Sequence, residues 1–412
     1  MTSDGGPEAS SISTTPETEG ASPATQRSRR VALIKAIEAK RESRVITWIC
    51  GDRQGSPQGQ IGDDAVRPLY DHVRPIGKPK KLDVFLYSRG GAVEVPWRVI
   101  SMFREHCTRL GVLIPYRAHS AATLIALGCD EIVLGRKAEL GPIDPALSIT
   151  QDKGTEVKEQ ISVEDVMSFI AFIKEVAGLG DQHAIAENVR ILTEKLSPWV
   201  LGSIYRTHSH IRMVARKMLA CHTKRVDEQT ANLIIESLAE KTYSHGHAIG
   251  RSEAKEIGLP ATMAEEELDD LMWELLETYE GLLGLRTPID PSALLGPNEE
   301  GQAPHVLAVI ESIARLTTFS GTLKFRKVRQ APPQVNVNMT LGVSLPPNVN
   351  PATLPQQFQD AINRLVQEVQ QNAPRWVQEQ TIKQSPLLRI EGRLEDACWR
   401  DVPDEPIQSG TA

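Results

Sequence analysis

The chain is short of cysteine, of long apolar runs and of excess positive charge, and each shortage closes off a class of protein. Its five cysteines, Cys50, Cys107, Cys129, Cys221 and Cys398, are odd in number and scattered. Neither a disulfide framework nor a Cys-x-x-Cys metal knuckle is indicated, and a reducing, cytoplasmic setting is expected. No stretch is apolar for long enough to span a bilayer, and the first residues are polar rather than a charged start followed by an apolar segment, so neither a membrane span nor secretion is expected. Acidic residues outnumber basic ones by 53 to 46, a formal net charge of −7, which favours solubility and gives no global attraction to nucleic acid. The basic stretch from Arg206 to Arg225 reads by default as a solvated helix face, with a subunit contact to an acidic neighbour or a nucleic-acid patch as alternatives. Also missing, where they would count, are GxGxxG, GxxxxGK[ST] and GxSxG, so nucleotide binding and an α/β-hydrolase elbow lack support. His208, His210 and His222 have no acidic residue completing a metal motif, and no cofactor-binding lysine with a phosphate loop is evident. Neither a metal nor a cofactor is expected.

What is present is a chain of 412 residues, 40% hydrophobic and 24% charged, long enough for a main domain and a smaller one. Residues 1–29 are Ser, Thr, Glu, Pro and Gly with almost no aliphatics, a composition that cannot offset the entropy of ordering. Beyond them, helix-like patterns (31–40, 63–73, 93–110, 121–128) alternate with short apolar, β-branched runs (44–50, 82–87, 111–116, 131–134), which predicts parallel βαβ units. From 162 to about 285 the pattern is almost wholly helical. A Pro/Gly/Asn stretch, 288–303, reads as a linker. The region 304–400 predicts a small α+β accessory domain: a short helix ending at Ala314, strands over 322–328 and 334–343, and a Gln-rich helix over 354–371. Residues 401–412 form a terminal tail, leaving 30–287 as the main domain.

The chemistry is concentrated between Leu82 and Pro145. A strand ending in Ser88-Arg89-Gly90-Gly91 can turn its amides outward without obstruction from Cβ, as stabilising an oxyanion requires; equally, Gly-Gly is an ordinary turn. Ser120 stands where a strand hands over to the small-residue helix that begins Ala121-Ala122-Thr123. It reads either as a helix N-cap or as an attacking hydroxyl at a strand's C-terminal edge. Both elements lie at the ends of neighbouring strands of one parallel sheet, where ligands bind in such folds.

Ser88-Arg89-Gly90-Gly91, then Ser120-Ala121-Ala122-Thr123, then Glu139-Leu140-Gly141-Pro142-Ile143-Asp144-Pro145 together resemble the serine dehydrogenase proteinase family of the Clp/crotonase fold, related to Clp peptidase and signal peptide peptidase A. The similarity continues through Leu196–Gly202 and Tyr243-Ser244-His245-Gly246 to about Leu259, half to three fifths of the chain. The resemblance implies an α/β spiral of ββα units with a parallel sheet, a helical extension, an oligomer built from trimers or rings, and peptide-bond hydrolysis through an acyl-enzyme. It makes Ser120 the nucleophile and Gly90 and Ala121 the oxyanion donors, with Gly91 keeping the turn open.

The base departs from the pattern. In Clp peptidase a His follows the nucleophile by about two dozen residues; here Asp144 stands at that place. A carboxylate of ordinary pKa is a poor base for a serine, so Asp144 reads better as orienting another group. Lys195 and Lys174 are candidates for a Ser-Lys dyad, and each is also an ordinary position on an amphipathic helix. His119 directly precedes Ser120 and in extended chain faces the other way; it reads as structural. His245 is the best-placed histidine by family topology. The expected activity is a serine peptidase acting on a peptide or protein. An acyl-thioester enzyme of the crotonase type and an inactive scaffold stand as alternatives. Helices within 162–195 and 263–285 are the expected subunit contacts, and the region after Pro304 an assembly or partner-docking module.

Overall fold

The computed structural model describes residues 23–143, 146–150, 158–239, 246–330 and 354–403. Helix α1 (Pro23–Arg41) leads into β1 (Arg44–Cys50), α2 (Val66–Ile76), β2 (Lys81–Tyr87), α3 (Val95–His106), β3 (Arg109–Ile114), β4 (Arg117–Ala118), α4 (Ala121–Leu127), β5 (Glu131–Leu134) and β6 (Glu139–Leu140). A hairpin of β7 (Ala146–Thr150) and β8 (Lys158–Ser162) precedes α5 (Val163–Ala171), α6 (Gln182–Lys195), α7 (Pro198–Ala220), α8 (Glu228–Ala239) and α9 (Arg251–Glu256). Then come β9 (Ala261–Met263), α10 (Glu266–Leu283), α11 (Pro291–Leu295), β10 (Glu300–Ser312), β11 (Arg315–Arg329), α12 (Gln356–Gln384) and β12 (Leu387–Asp401). Two units are present. Among the described residues the larger holds those up to Ile289, Pro304–Gly321 and those from Asp396; the smaller holds Asp290–Ala303 and those between Thr322 and Glu395.

The fold is mixed α/β around an eight-stranded sheet in the order β12-β11-β10-β1-β2-β3-β5-β9. Strands β1, β2, β3, β5 and β9 run parallel. Their near-continuous apolar sequences are those of strands covered on both faces. Alternation along each strand sorts the side chains into two cores. Ile46, Trp48, Val84, Leu86, Val112 and Ile114 join α2, α3, α4, α7 and α8 on one side. Val45, Ile49, Phe85, Tyr87, Leu113 and Val133 meet α1 and α10 on the other.

Several expectations fail here: helix α1 begins at Pro23, inside the stretch 1–29 expected not to order, and the expected linker 288–303 holds α11 and the start of β10. The apolar run Val306-Leu307-Ala308-Val309-Ile310 is strand β10, not a helix ending at Ala314, and it pairs antiparallel with β1 through Trp48↔Ile310 and Cys50↔Ala308. A short apolar run does not by itself distinguish strand from helix; this one covers what would be an open edge of the parallel sheet. The hairpin β7–β8 and the long strand β12 were likewise not anticipated.

Several charged and polar groups are built into the apolar layers with partners. Arg30 Nε lies 2.7 Å from Glu311 Oε2, with side chains 3% and 0% exposed, and the Tyr279 hydroxyl donates to the same carboxylate at 2.7 Å. This clamp ties α1 and α10 to β10. Glu311→Ala leaves the Arg30 guanidinium buried without its counter-charge and should cost about 3–5 kcal/mol of unfolding free energy, while Arg30→Met with Glu311→Leu should cost far less. Urea denaturation compares the two, and equal losses would show that burial of charge is not what matters there.

His72, on α2, bonds Ser312 Oγ at 3.0 Å and Thr317 Oγ1 at 2.9 Å. Burial, with help from the Arg315 charge, pushes its imidazole down from 6.5 to about 4. The unfolded chain therefore takes up the proton first. The stabilisation is complete above about pH 6.5 and is lost as the pH falls towards 4, a drop of roughly 3 kcal/mol. His72→Gln should flatten that part of the stability profile; an unchanged slope would assign it to another group.

Candidate active site

The loop after β2 and the loop before α4 are laced together by backbone. Ser88 N–H donates to Arg117 O at 3.0 Å and His119 N–H to Ser88 O at 3.0 Å, which carries the β2 edge alongside β4. Gly90 thereby comes against the nucleophile candidate: a Cβ on Gly90 would lie 2.8 Å from Ser120 Cβ and 2.9 Å from His119 O. The position also has φ +112, a backbone state open in practice to glycine. Gly91 is pressed from the other side, where a Cβ would meet Ile61 O at 2.3 Å. Only a Gly-Gly pair lets three backbone segments approach this closely.

Ser120 stands at the N-cap position of α4 with φ 52 and ψ −116, but its side chain does not cap the helix. Its N–H donates to Pro142 O at 3.2 Å and its carbonyl accepts from Leu124 N–H at 3.1 Å. Backbone bonds thus fix the residue on both sides and leave the hydroxyl aside; among the described residues that hydroxyl makes no hydrogen bond. A non-glycine residue held in such a conformation is strained, and strain of this kind clusters at sites of chemistry. Ala121 opens α4, so its N–H has no helical carbonyl to bond.

The Gly90 N–H is not idle. It donates to Ser88 Oγ at 3.0 Å, and Ser88 is fully buried. Neither this contact nor that of Thr123, whose hydroxyl lies 2.8 Å from both Ala118 O and Gly141 O and can donate to either, was anticipated. Only the identity of two small hydroxyl residues beside Gly-Gly and Ser-Ala-Ala could have hinted at them. Cys50 is no competing nucleophile, since burial pushes its thiol up to about 12.

The 138–143 strand passage completes the frame. Leu140 exchanges both backbone bonds with Ile249, at 2.9 and 2.8 Å, and Ile143 N–H donates to Leu238 O at 3.0 Å. Asp144 and His245 lie outside the described residues. Lys195 ends α6, a helix that buries none of its residues, and is itself exposed, as is Lys174. Neither has a contact with Ser120 among the described residues. His119 packs its ring base on the backbone of Gly141 and sets Nε2 3.3 Å from Glu139 Oε1. Burial lowers its pKa, Glu139 opposes that, and the charges of Arg89 and Arg117 add to it.

Behind the strand ends lies an open cavity of about 410 Å³, lined by Asp52, Tyr87, Arg89, Tyr116 and Arg117 among others. Asp52 holds it together, accepting from Arg89 at 2.7 Å and Tyr87 at 2.7 Å, with Arg117 at 3.1 Å. Burial alone would raise its carboxyl, but these donors outweigh burial and hold it below the ordinary value.

Residues 21–177 match the family model for ClpP-like SDH-type serine proteinases. Over those residues, somewhat more than a third of the chain, the protein is similar to that family. Two uncharacterized proteins of Methanocaldococcus jannaschii are similar to it: MJ0137, 26% identical over 262 residues (61% of this chain, 78% of that protein), and MJ1495, 22% identical over 266 residues (63% and 80%). Among solved structures, ClpP1 from Listeria monocytogenes is 14% identical with a TM-score of 0.31, covering 57% of this chain and 97% of the other. The membrane-bound stomatin-specific protease 1510-N, as a serine-to-alanine mutant, is also 14% identical, with a TM-score of 0.26 and coverage of 53% and 79%. The matched residues include β2, β4 and α4, the elements that frame Ser120. Among the described residues no helix is long and apolar enough to cross a membrane.

If Ser120 stores backbone strain, Ser120→Gly should raise the unfolding free energy by roughly 1–3 kcal/mol. Ser120→Ala, which keeps a Cβ at φ 52, should not. Calorimetry of both variants tests this; equal stabilities would mean that the conformation carries no cost.

Proposed function

We propose that the larger unit is a serine peptidase in which Ser120 Oγ attacks a substrate carbonyl, with the Ala121 and Gly90 amides stabilising the oxyanion. The observation that carries this reading is Ser120 itself, held at φ 52 without capping its helix and pressed against Gly90. Attack forms an Oγ–C bond and collapse of the intermediate breaks C–N, the leaving amine taking the serine proton by way of the base; water then hydrolyses the ester.

For the base we favour His245, oriented by Asp144, over Lys195. A dyad lysine works by burial, and Lys195 is exposed. The passages on either side of Asp144 and His245 support this assignment. Ile143, next to Asp144, is bonded to Leu238, and Ile249, four residues past His245, is bonded to Leu140, while Pro142 O receives the Ser120 N–H. The substrate is a peptide or protein, and the chain works in the cytoplasm as a homo-oligomer; its five cysteines are all free, which suits a reducing compartment.

A fluorophosphonate probe with mapping of the labelled residue tests the assignment. Label should appear on Ser120 and vanish in Ser120→Ala. His245→Gln and Asp144→Asn should slow labelling by about 10²-fold or more, and Lys195→Ala should not change it. Loss of labelling in Lys195→Ala alone would move the base to the lysine. Acyl-thioester turnover that survives Ser120→Ala would favour the crotonase-type reading, and no label with no turnover would leave a scaffold.

A further inference from the structure

In the smaller unit, α12 keeps large apolar side chains in water. Phe358, Leu365 and Trp376 are 63%, 64% and 63% exposed and Val369 is 38% exposed. They follow one another at intervals of seven, four and seven residues, which at 100° per residue confines all four to an arc of about 40°. The helix turns its other apolar flank, with buried Ala373 and half-buried Val366 and Val377, away from solvent. An exposed stripe of this extent marks an interaction surface, and its spacing is that of a two-stranded helical seam.

We propose that α12 pairs antiparallel with α12 of a second copy of this chain. The charges beside the stripe single out that occupant. Along the exposed flank stand Arg364, Glu368, Arg375 and Glu379, an order that becomes its own complement when the helix is reversed. Around a two-fold axis near residues 371–372, Arg364 faces the partner's Glu379 and Glu368 faces the partner's Arg375. Leu365 then lies near the partner's Trp376 and Val369 near the partner's Asn372, pairs centred at 370–371, one residue from that axis. A single polar residue in such a seam fixes register. A parallel pair would instead set this charged flank against the flank that holds Ala373, which is already buried. Arg375 and Glu379 now bond each other at 3.1 Å while 83% and 53% exposed, a surface pair that exchanges partners at little cost.

This inference is independent of the peptidase reading, and its test needs no substrate. Mass photometry and sedimentation of the full chain should give an assembly with twice the mass of the Leu365→Ala/Trp376→Ala variant, whether or not other contacts hold further copies. Glu368→Arg and Arg375→Glu, each alone, set two like-charge pairs across the axis and should weaken pairing about tenfold. An equimolar mixture of the two should recover it, because each reversal then meets the other; a variant that had merely misfolded would not be rescued. An unchanged mass in the double-alanine variant, or a mixture as weak as its components, would overturn the pairing.

Discussion

The contact of Gly90 with Ser120 is the constraint on which the rest of the site depends. A backbone that passes within Cβ distance of another can do so only where one has no Cβ, and here two consecutive positions meet that condition, Gly90 towards Ser120 and Gly91 towards Ile61. The parallel pairing of β2 with β3 sets the height of both strand ends. The bridge from Ser88 to Ala118 then carries that alignment past the sheet edge, so Ser120 is placed by hydrogen bonds that never involve its own side chain.

The remote end of the sheet secures this alignment with charge. Arg41 bonds Asp83 at 3.0 Å and Glu131 at 2.8 Å, joining α1 to β2 and β5. Burial would raise Glu131, but Arg41 and then Lys81 outweigh it and bring it down to about 2. Slippage of β2 against its neighbours would strand partly buried charges, which costs several kcal/mol. It would also turn every side chain to the opposite face. Register at the polar end and geometry at the reactive end are one property of the same strands.

The parts of the fold that were legible in the sequence are the local ones. Strands β1 and β5 begin and end where their β-branched runs do, and Gly90-Gly91 and Ser120 were recognisable because a strand terminus and a helix start are written in adjacent residues. Strand β10 was misread because its partner, β1, lies far away along the chain, and only that pairing tells an apolar run which period to adopt. The Ser88 and Thr123 tethers were hidden for a related reason: a small hydroxyl acquires its role from carbonyls and amides that arrive by folding. Spacing alone likewise could not show that Lys195 is exposed, since a charged helix position looks the same in sequence on either face.

The Ser88–Gly90 hydrogen bond bears directly on how an acyl-transfer site here would discriminate between ground and transition states. In the resting arrangement the Gly90 N–H is committed to a neutral hydroxyl at 3.0 Å, and a substrate carbonyl, also neutral, gains little by replacing it. An oxyanion is a different competitor. Hydrogen bonds to an ionised acceptor are roughly twice as strong as neutral ones, and the surroundings of Ser88 are dry, which magnifies the difference. In such a site, exchange of Ser88 for the oxyanion would become favourable only as negative charge developed. A donor that binds the charged intermediate better than the substrate accelerates the chemical step rather than merely tightening binding, so the Ser88 tether is compatible with catalysis and is part of what would make it selective.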